Sequence, residues 1–280
     1  MPPPLTPGCL RRPRSVGHKY NPSEVNYRAN IFGFKILGCE WVIAVSAVGS
    51  LQEEIKTGDI VIIDQFIDKT KFRKDTFYEN GCAAHIPFSE PTCPTLRSYL
   101  LEGCKAVAAK ENVEVRVHPT GTYVNMEGPA FSTYAESCLH RSWGAQVIGM
   151  TAVAEAKLAR EAEISYAVLA MATDYDCWKT DEDPVTVEAV IATMQANVIK
   201  AQNVVKATVP LIGRHTGPHP QEKAMENAIM SAKIPPATAR KLAPLIRKYV
   251  KIPEVENPAV GLVMWATATW GLTMLLQKVL

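Results

Sequence analysis

Asp174 and Asp176 stand two residues apart, just after the apolar run 164–170, with Thr173 beside them. In extended backbone that spacing puts both carboxylates on one face. Two like charges held close push one pKa upward, so one acid can carry a proton near neutral pH while the other stays ionised. The exit of a buried strand is also where open α/β sheets bind small ligands. A solvated turn start, which Asp favours, fits the same residues. Three further stretches collect polar groups at strand ends. Ser46-Ala47-Val48-Gly49-Ser50 offers hydroxyls and a glycine, whose backbone N–H groups can approach an anion, although a plain strand-to-loop turn is the commoner origin of such a stretch taken alone. Glu127-Gly128-Pro129-Ala130-Phe131-Ser132 reads as a rigid loop presenting a ring for stacking, or as a turn whose Phe anchors in the core. In Gly149-Met150-Thr151, the Met is either core filler or a contact at a strand exit.

The elements that must carry these groups alternate between strand and helix patterns. Strands are expected at 41–48, 59–67, 113–117, 123–126, 146–150 and 165–173, the apolar β-branched runs being the clearest. Helices are expected at 24–35 with Ser23 as N-cap, 94–110, 132–143, 152–161, 185–207, 221–232 and 236–249. Residues 68–92 lack periodicity and contain Asn80-Gly81, a loop signature. Strands apolar on both faces, alternating with helices, predict one α/β domain: a three-layer α/β/α sandwich around a mixed central sheet.

The chain has 280 residues, 47% hydrophobic and 21% charged, with net charge +2. That is ordinary globular composition, and it gives no electrostatic footprint for nucleic acid. Seven cysteines, an odd number with no C-x-x-C pair, read as reduced, buried thiols of an intracellular protein. The six histidines show no metal-ligand spacing with them, so no metal is expected. Residues 1–20 are rich in Pro and Arg and hold no acid, which fits a targeting tract or an irregular lead-in. Residues 258–276 carry no charge and read as a buried or interface-covering helix in preference to a tail anchor.

Several stretches together resemble one family. They are Val25-Asn26-Tyr27-Arg28-Ala29-Asn30, Gly49-Ser50-Leu51-Gln52-Glu53-Glu54-Ile55 and Gly58-Asp59-Ile60-Val61-Ile62-Ile63-Asp64-Gln65-Phe66-Ile67-Asp68. Next come His85-Ile86-Pro87, Glu127-Gly128-Pro129, Phe131-Ser132, Ala135-Glu136-Ser137 and Ala170-Met171-Ala172-Thr173-Asp174-Tyr175-Asp176-Cys177-Trp178-Lys179. In this order, from about residue 17 to 250, they resemble the methylthioadenosine phosphorylases of the purine nucleoside phosphorylase family. The resemblance implies a nucleoside phosphorylase-like fold over 18–252, between a lead-in at 1–17 and an apolar extension at 253–280. It implies reversible phosphorolysis of 5′-methylthioadenosine to adenine and 5-methylthioribose 1-phosphate, in methionine and purine salvage. Phosphate is a co-substrate, and no cofactor is implied. A homotrimer in the cytoplasm, with the nucleus as a second location, also follows.

By the same resemblance Asp174 is the catalytic group near purine N7, and Asp176 binds the amino edge. Asp rather than Asn at the first position favours a 6-aminopurine. Phe131 flanks the base, Ser132 lines its pocket, and Met150 contacts the ribose. Val187 and Val190 line the methylthio slot, and His85 reaches a neighbouring subunit's site. Ser46, Ala47, Thr151, Thr173 and Arg14 form the phosphate set. The chain departs from the family where a first strand and Gly-rich phosphate turn are expected. Arg12-Pro13-Arg14-Ser15-Val16-Gly17-His18 replaces an Arg-His-Gly followed by a His, with Arg14 standing in for one member. Each lost phosphate donor would cost ~3 kcal/mol of transition-state stabilisation, and a lost inner strand exposes a sheet edge. Two alternatives therefore stand beside phosphorolysis: a nucleoside-binding homologue with impaired catalysis, and a phosphorylase of other purine specificity.

Overall fold

The computed structural model describes residues 20–111, 116–180 and 187–253. Its strands are β1 (Trp41–Ser50), β2 (Ile60–Ile63), β3 (Gln65–Asp68), β4 (Val117–His118), β5 (Thr122–Asn125), β6 (Val147–Gly149) and β7 (Ser165–Tyr175). The helices are α1 (Tyr27–Ile36), α2 (Pro94–Glu111), α3 (Tyr134–Ser142), α4 (Ala152–Glu161), α5 (Val187–Gly213) and α6 (Pro236–Ile246). One mixed sheet runs in the order β3-β5-β6-β1-β7-β2-β4.

Side-chain alternation along β7 builds the layers. Tyr166, Val168, Ala170 and Ala172 join a cluster with residues of α1, α4 and α6, including Ile31, Leu158 and Ile246. Ala167, Leu169 and Met171 join a second cluster with Leu96, Leu100 and Cys104 of α2 and Val204 of α5. A strand whose successive residues point to opposite faces and find apolar helices on both must sit inside a three-layer sandwich. The expected fold class holds, and β7 is buried from Ser165 to Thr173.

Several expectations are corrected. The strand expected over 59–67 is two strands broken at Asp64, whose carboxylate accepts the Gly121 N–H at 2.9 Å. β2 pairs with β7 and β4, while β3 pairs with β5 at the far end of the order. A single residue joins them, so the sheet must curl until its ends approach. Residues 41–48 form a strand that is half-buried, with Val45 49% exposed. β7 pairs along its whole length, but β6 reaches only Gly49 and Ser50 on the other side. Among the described residues no strand covers the rest of that edge. Ser23 does not cap α1: Asn26 holds that position, and the Ser23 hydroxyl instead donates to Glu127 at 2.5 Å. Residues 221–228 form turns rather than a helix. Helix α3 starts two residues later than expected, at a capping box in which Thr133 and Glu136 satisfy each other's backbone N–H groups. Cys82, Cys93 and Cys104 are buried as expected, whereas Cys177 is exposed. The expected strand residues 113–115, Arg14, the lead-in and the apolar extension lie outside the described residues.

Candidate functional site

The acid pair is shaped by an irregularity between β1 and β7. Val48 pairs with Ala172, but Gly49 pairs with Asp174, so Thr173 is an extra residue in the ladder. A β-bulge of this kind re-aims the side chains next to it. The Thr173 hydroxyl donates to Asp174 Oδ1 at 2.6 Å and lies 3.3 Å from the Val48 carbonyl. Gly49 supplies the floor. A Cβ there would lie 3.6 Å from both Asp174 Oδ2 and Asp176 Cβ, and 3.2 Å from Ile148. The two acids thus converge over one glycine, as the i, i+2 spacing requires. Burial pushes the Asp174 carboxyl up to about 6; the Thr173 hydrogen bond opposes this and the Asp176 charge adds to it. One group is therefore poised to exchange a proton near neutrality. Asp176 is buried, and its Oδ2 has no hydrogen-bond partner.

The loop 127–133 arrives from the other side. Cys177 Sγ lies 3.3 Å from the Ser132 carbonyl, which fastens the loop to the residue after Asp176. Phe131 is 82% exposed, so it is a ring without a core role. This decides between the two sequence readings of that stretch. The loop is rigid because Glu127 and Arg73 hold it. The Arg73 side chain, 1% exposed, donates to Glu127 Oε1 at 3.1 Å, to the Tyr27 hydroxyl at 2.7 Å and to the Met150 carbonyl at 2.8 Å. It also donates to the Glu127 carbonyl at 2.6 Å. Burial opposes ionisation of Glu127, but donation from Ser23, Lys71 N–H, Arg73 and Phe72 N–H outweighs it and holds the carboxyl at about 2. The peptide before Pro129 is cis, and Gly128 has φ +68°. A side chain at Gly128 would meet Met150 Sδ at 2.6 Å. Glycine is required there for the loop to pass this close.

A third group forms around Tyr123. Its side chain is fully buried, and its hydroxyl lies 3.3 Å from Ser46 Oγ and beside Thr151. Thr151 is the N-cap of α4, yet its side chain makes no capping bond. The positive end of the α4 dipole and two hydroxyls therefore face one region, an arrangement suited to an anion. Gly149 lets the Tyr123 ring through, because a Cβ there would lie 2.0 Å from its hydroxyl.

The structure brings together Ser46, Ala47, Met150, Thr151, Thr173, Asp174, Asp176 and the Phe131–Ser132 loop at one end of the β1, β6 and β7 strands. It does not bring His85 to them. That residue is exposed on the loop that bridges Ala84 to Ile229. Val187 and Val190 open α5, the helix whose Asn197 amide donates to the Ala172 carbonyl at 3.1 Å. Sequence reasoning missed Arg73 and Tyr123. Arg73 lies in an aperiodic loop, and Tyr123 reads as a core strand residue. Two clefts of about 340 and 310 Å³ lie elsewhere, one beside His118 and Gln146, the other beside Glu163 and His219. Neither is lined by an acid of the pair.

A family model for the phosphorylase superfamily matches residues 11–210. The chain is 50% identical over 235 residues to the S-methyl-5′-thioadenosine phosphorylase of Thermosynechococcus vestitus, covering 83% of this chain and 80% of that one. It is also 50% identical over 237 residues to the protein of that name from Geobacter sulfurreducens, covering 84% and 80%. Among solved structures, a methylthioadenosine phosphorylase from an antarctic soil metagenomic library superposes with TM-score 0.78 at 41% identity, over 83% of this chain and 80% of that one. A mutant adenosine/methylthioadenosine phosphorylase of Schistosoma mansoni, in complex with methylthioadenosine, superposes with TM-score 0.66 at 38% identity, over 71% and 74%.

Proposed function

The chain belongs to the methylthioadenosine phosphorylases of the phosphorylase superfamily, and we propose that it catalyses the reversible phosphorolysis of 5′-methylthioadenosine. The observation that carries this reading is the convergence of Asp174 and Asp176 over Gly49, in a chain half identical to enzymes of that name. A phosphate oxygen attacks the ribose C1′ and the bond from C1′ to the purine breaks. The electron pair moves into the base while the sugar passes through an oxocarbenium-like state. Protonated Asp174 gives its proton to purine N7, which neutralises the leaving base. Asp176 accepts from the 6-amino group. Phe131 stacks on the base, Ser132 lines its edge, and Met150 packs on the ribose. Ser46, Ala47, Thr151 and Thr173 hold phosphate near the α4 N-terminus, with Arg14 as the cation. Val187 and Val190 line the slot for the methylthio group.

This assignment places the protein in methionine and purine salvage, in the cytoplasm, as a homotrimer in which His85 reaches the adjacent site. No cofactor enters the reaction as written. No helix among the described residues is long and apolar enough to cross a membrane. Phosphate-dependent release of adenine from methylthioadenosine, followed by absorbance, tests the reading. Release that requires phosphate is the expected result, and none above background overturns it. A chain that only bound nucleoside would be stabilised by methylthioadenosine but not by phosphate.

A further inference from the structure

β1 is the fourth of seven strands in the sheet order, yet of its residues 41–48 only Val48 is buried. β7 pairs along one edge of β1, whereas β6 meets the other edge only at Gly49 and Ser50. About half of the backbone N–H and C=O groups of 41–48 therefore point to an edge that no described strand covers. The segment reads Trp-Val-Ile-Ala-Val-Ser-Ala-Val, with no charge or proline to guard such an edge. Val45 is 49% exposed, and Ile36 and Leu37, just before β1, are 59% and 62% exposed. The described chain also ends close to where β1 starts. Lys248 lines a cleft of about 310 Å³ together with Gly38, Cys39 and Glu40, the residues that lead into β1. Its ammonium lies 3.6 Å from Glu163, and the Tyr249 hydroxyl donates to the same carboxylate. Glu163 stands two residues before Ser165, the partner of Trp41. The last described residue, Pro253, follows four positions after Tyr249.

We propose that residues 258–276 of this chain add a strand to the open edge of β1, entering where β1 starts and running parallel to it. The stretch from Pro253 to Pro258 spans up to about 17 Å when extended, which lets the segment begin at that end of the sheet. Residues 259–276 are longer than the open edge at 41–48 and hold neither a proline nor a charge, so they match its apolar character. They also alternate with period two. Val260, Leu262, Met264, Ala266, Ala268 and Trp270 fall on one face, while Gly261, Thr267, Thr269 and Gly271 share the other with Val263 and Trp265. Val, Trp and Thr suit a pleated strand, which replaces the covering helix that the lack of charge alone suggests. Two other occupants fit worse. Between Pro13 and Tyr20 the lead-in is shorter than the open edge, and its further prolines cannot donate to a ladder. A second copy competes with a segment tethered a few residues away, at an effective concentration of about millimolar. The added strand would lie against Ser46 and Ala47 and close the phosphate end from one side. That consequence rests on the phosphate reading of those two residues; the pairing itself does not.

The test places the photo-crosslinker benzoylphenylalanine at Val45 in the full chain and identifies the attached tryptic peptide by mass spectrometry. Val45 is half exposed, so the substitution spares the core. We expect a crosslink within one chain to the peptide 252–278, which carries the segment. No crosslink, one to residues 1–19, or one to a second copy overturns the proposal. Hydrogen exchange gives a second reading. In the unsubstituted chain the amides of 41–48 that face away from β7 should be protected; rapid exchange there overturns the proposal. The double variant Val263→Pro, Thr267→Pro removes two N–H groups from the segment and should speed exchange at those amides about tenfold or more, while the β2 amides stay protected. Unchanged exchange at 41–48 in this variant also overturns the proposal. If the variant loses β2 protection as well, it has unfolded, and the crosslink, made with both segments intact, decides. Phosphorolysis enters neither measurement, so an inactive chain refutes the enzyme reading without touching this one.

Discussion

Replacing Asp174 with Asn keeps the side chain's shape and removes its charge. The effect on stability can be worked from the site. Burial and the Asp176 charge raise the Asp174 carboxyl from 3.8 to about 6, against the Thr173 hydrogen bond. The folded chain therefore holds this proton more tightly than the unfolded chain. Below about pH 4 both states are protonated, and Asp is nearly equivalent to Asn. As pH rises through 6 the folded chain must place a charge where burial and Asp176 oppose it, while the unfolded chain ionises freely. About two pKa units correspond to ~3 kcal/mol lost at pH 8. Asn loses nothing over this range, and its carbonyl can still accept from Thr173. Asp174→Asn should therefore match wild type at pH 4 and exceed it by ~3 kcal/mol at pH 8. For a chain of this size that is a Tm increase of roughly 5–10 °C. Thermal unfolding of both proteins across pH 4 to 8 reads the difference directly. A difference independent of pH, or a less stable Asn variant at pH 8, would refute the electrostatic account. The same substitution should lower turnover by ~10²–10⁴-fold, because the proton donor is gone. The wild-type kcat/KM should fall above about pH 6 as the acid form of Asp174 is depleted, and the variant should lack that limb.

Three other outcomes follow from the geometry. Phe131→Ala should leave Tm nearly unchanged, because the ring is 82% exposed, and should raise the methylthioadenosine KM by roughly tenfold through lost stacking; an equal loss of stability would place the ring in the core instead. Arg73→Met should cost ~1–3 kcal/mol in urea unfolding, since it leaves the Glu127 and Met150 carbonyls without their donor while Ser23, Lys71 and Phe72 still hold the Glu127 carboxylate; a cost below ~0.5 kcal/mol would show that the loop is held by other contacts. Tyr123→Phe removes the hydroxyl near Ser46, so we expect a stability loss of ~1 kcal/mol with a larger rise in the KM for phosphate than for nucleoside; an equal rise in both would separate Tyr123 from the phosphate end.

The sequence by itself determined the order of most elements, because hydrophobic period and β-branched runs are local signals. The β7 strand, α2 and α4 lie where those signals place them. It also determined the acid pair, since the i, i+2 rule needs only an extended backbone, and the family, through many ordered matches. Only the tertiary structure decided the rest. The break at Asp64 depends on a hydrogen bond to Gly121, distant in sequence. The half-exposed face of β1 depends on which strands pair with its edge, whereas periodicity reports only how apolar a segment is. The turns at 221–228 show local helix preference overridden by the chain's path. Around Asp174 and Asp176, the bulge at Thr173, the glycine floor and the loop fastened through Ser132 to Cys177 come from three segments separated by many residues. The sequence supplies the two carboxylates. The raised Asp174 carboxyl exists only because folding buries it beside a second acid, with a single hydroxyl donor, over a residue that has no side chain.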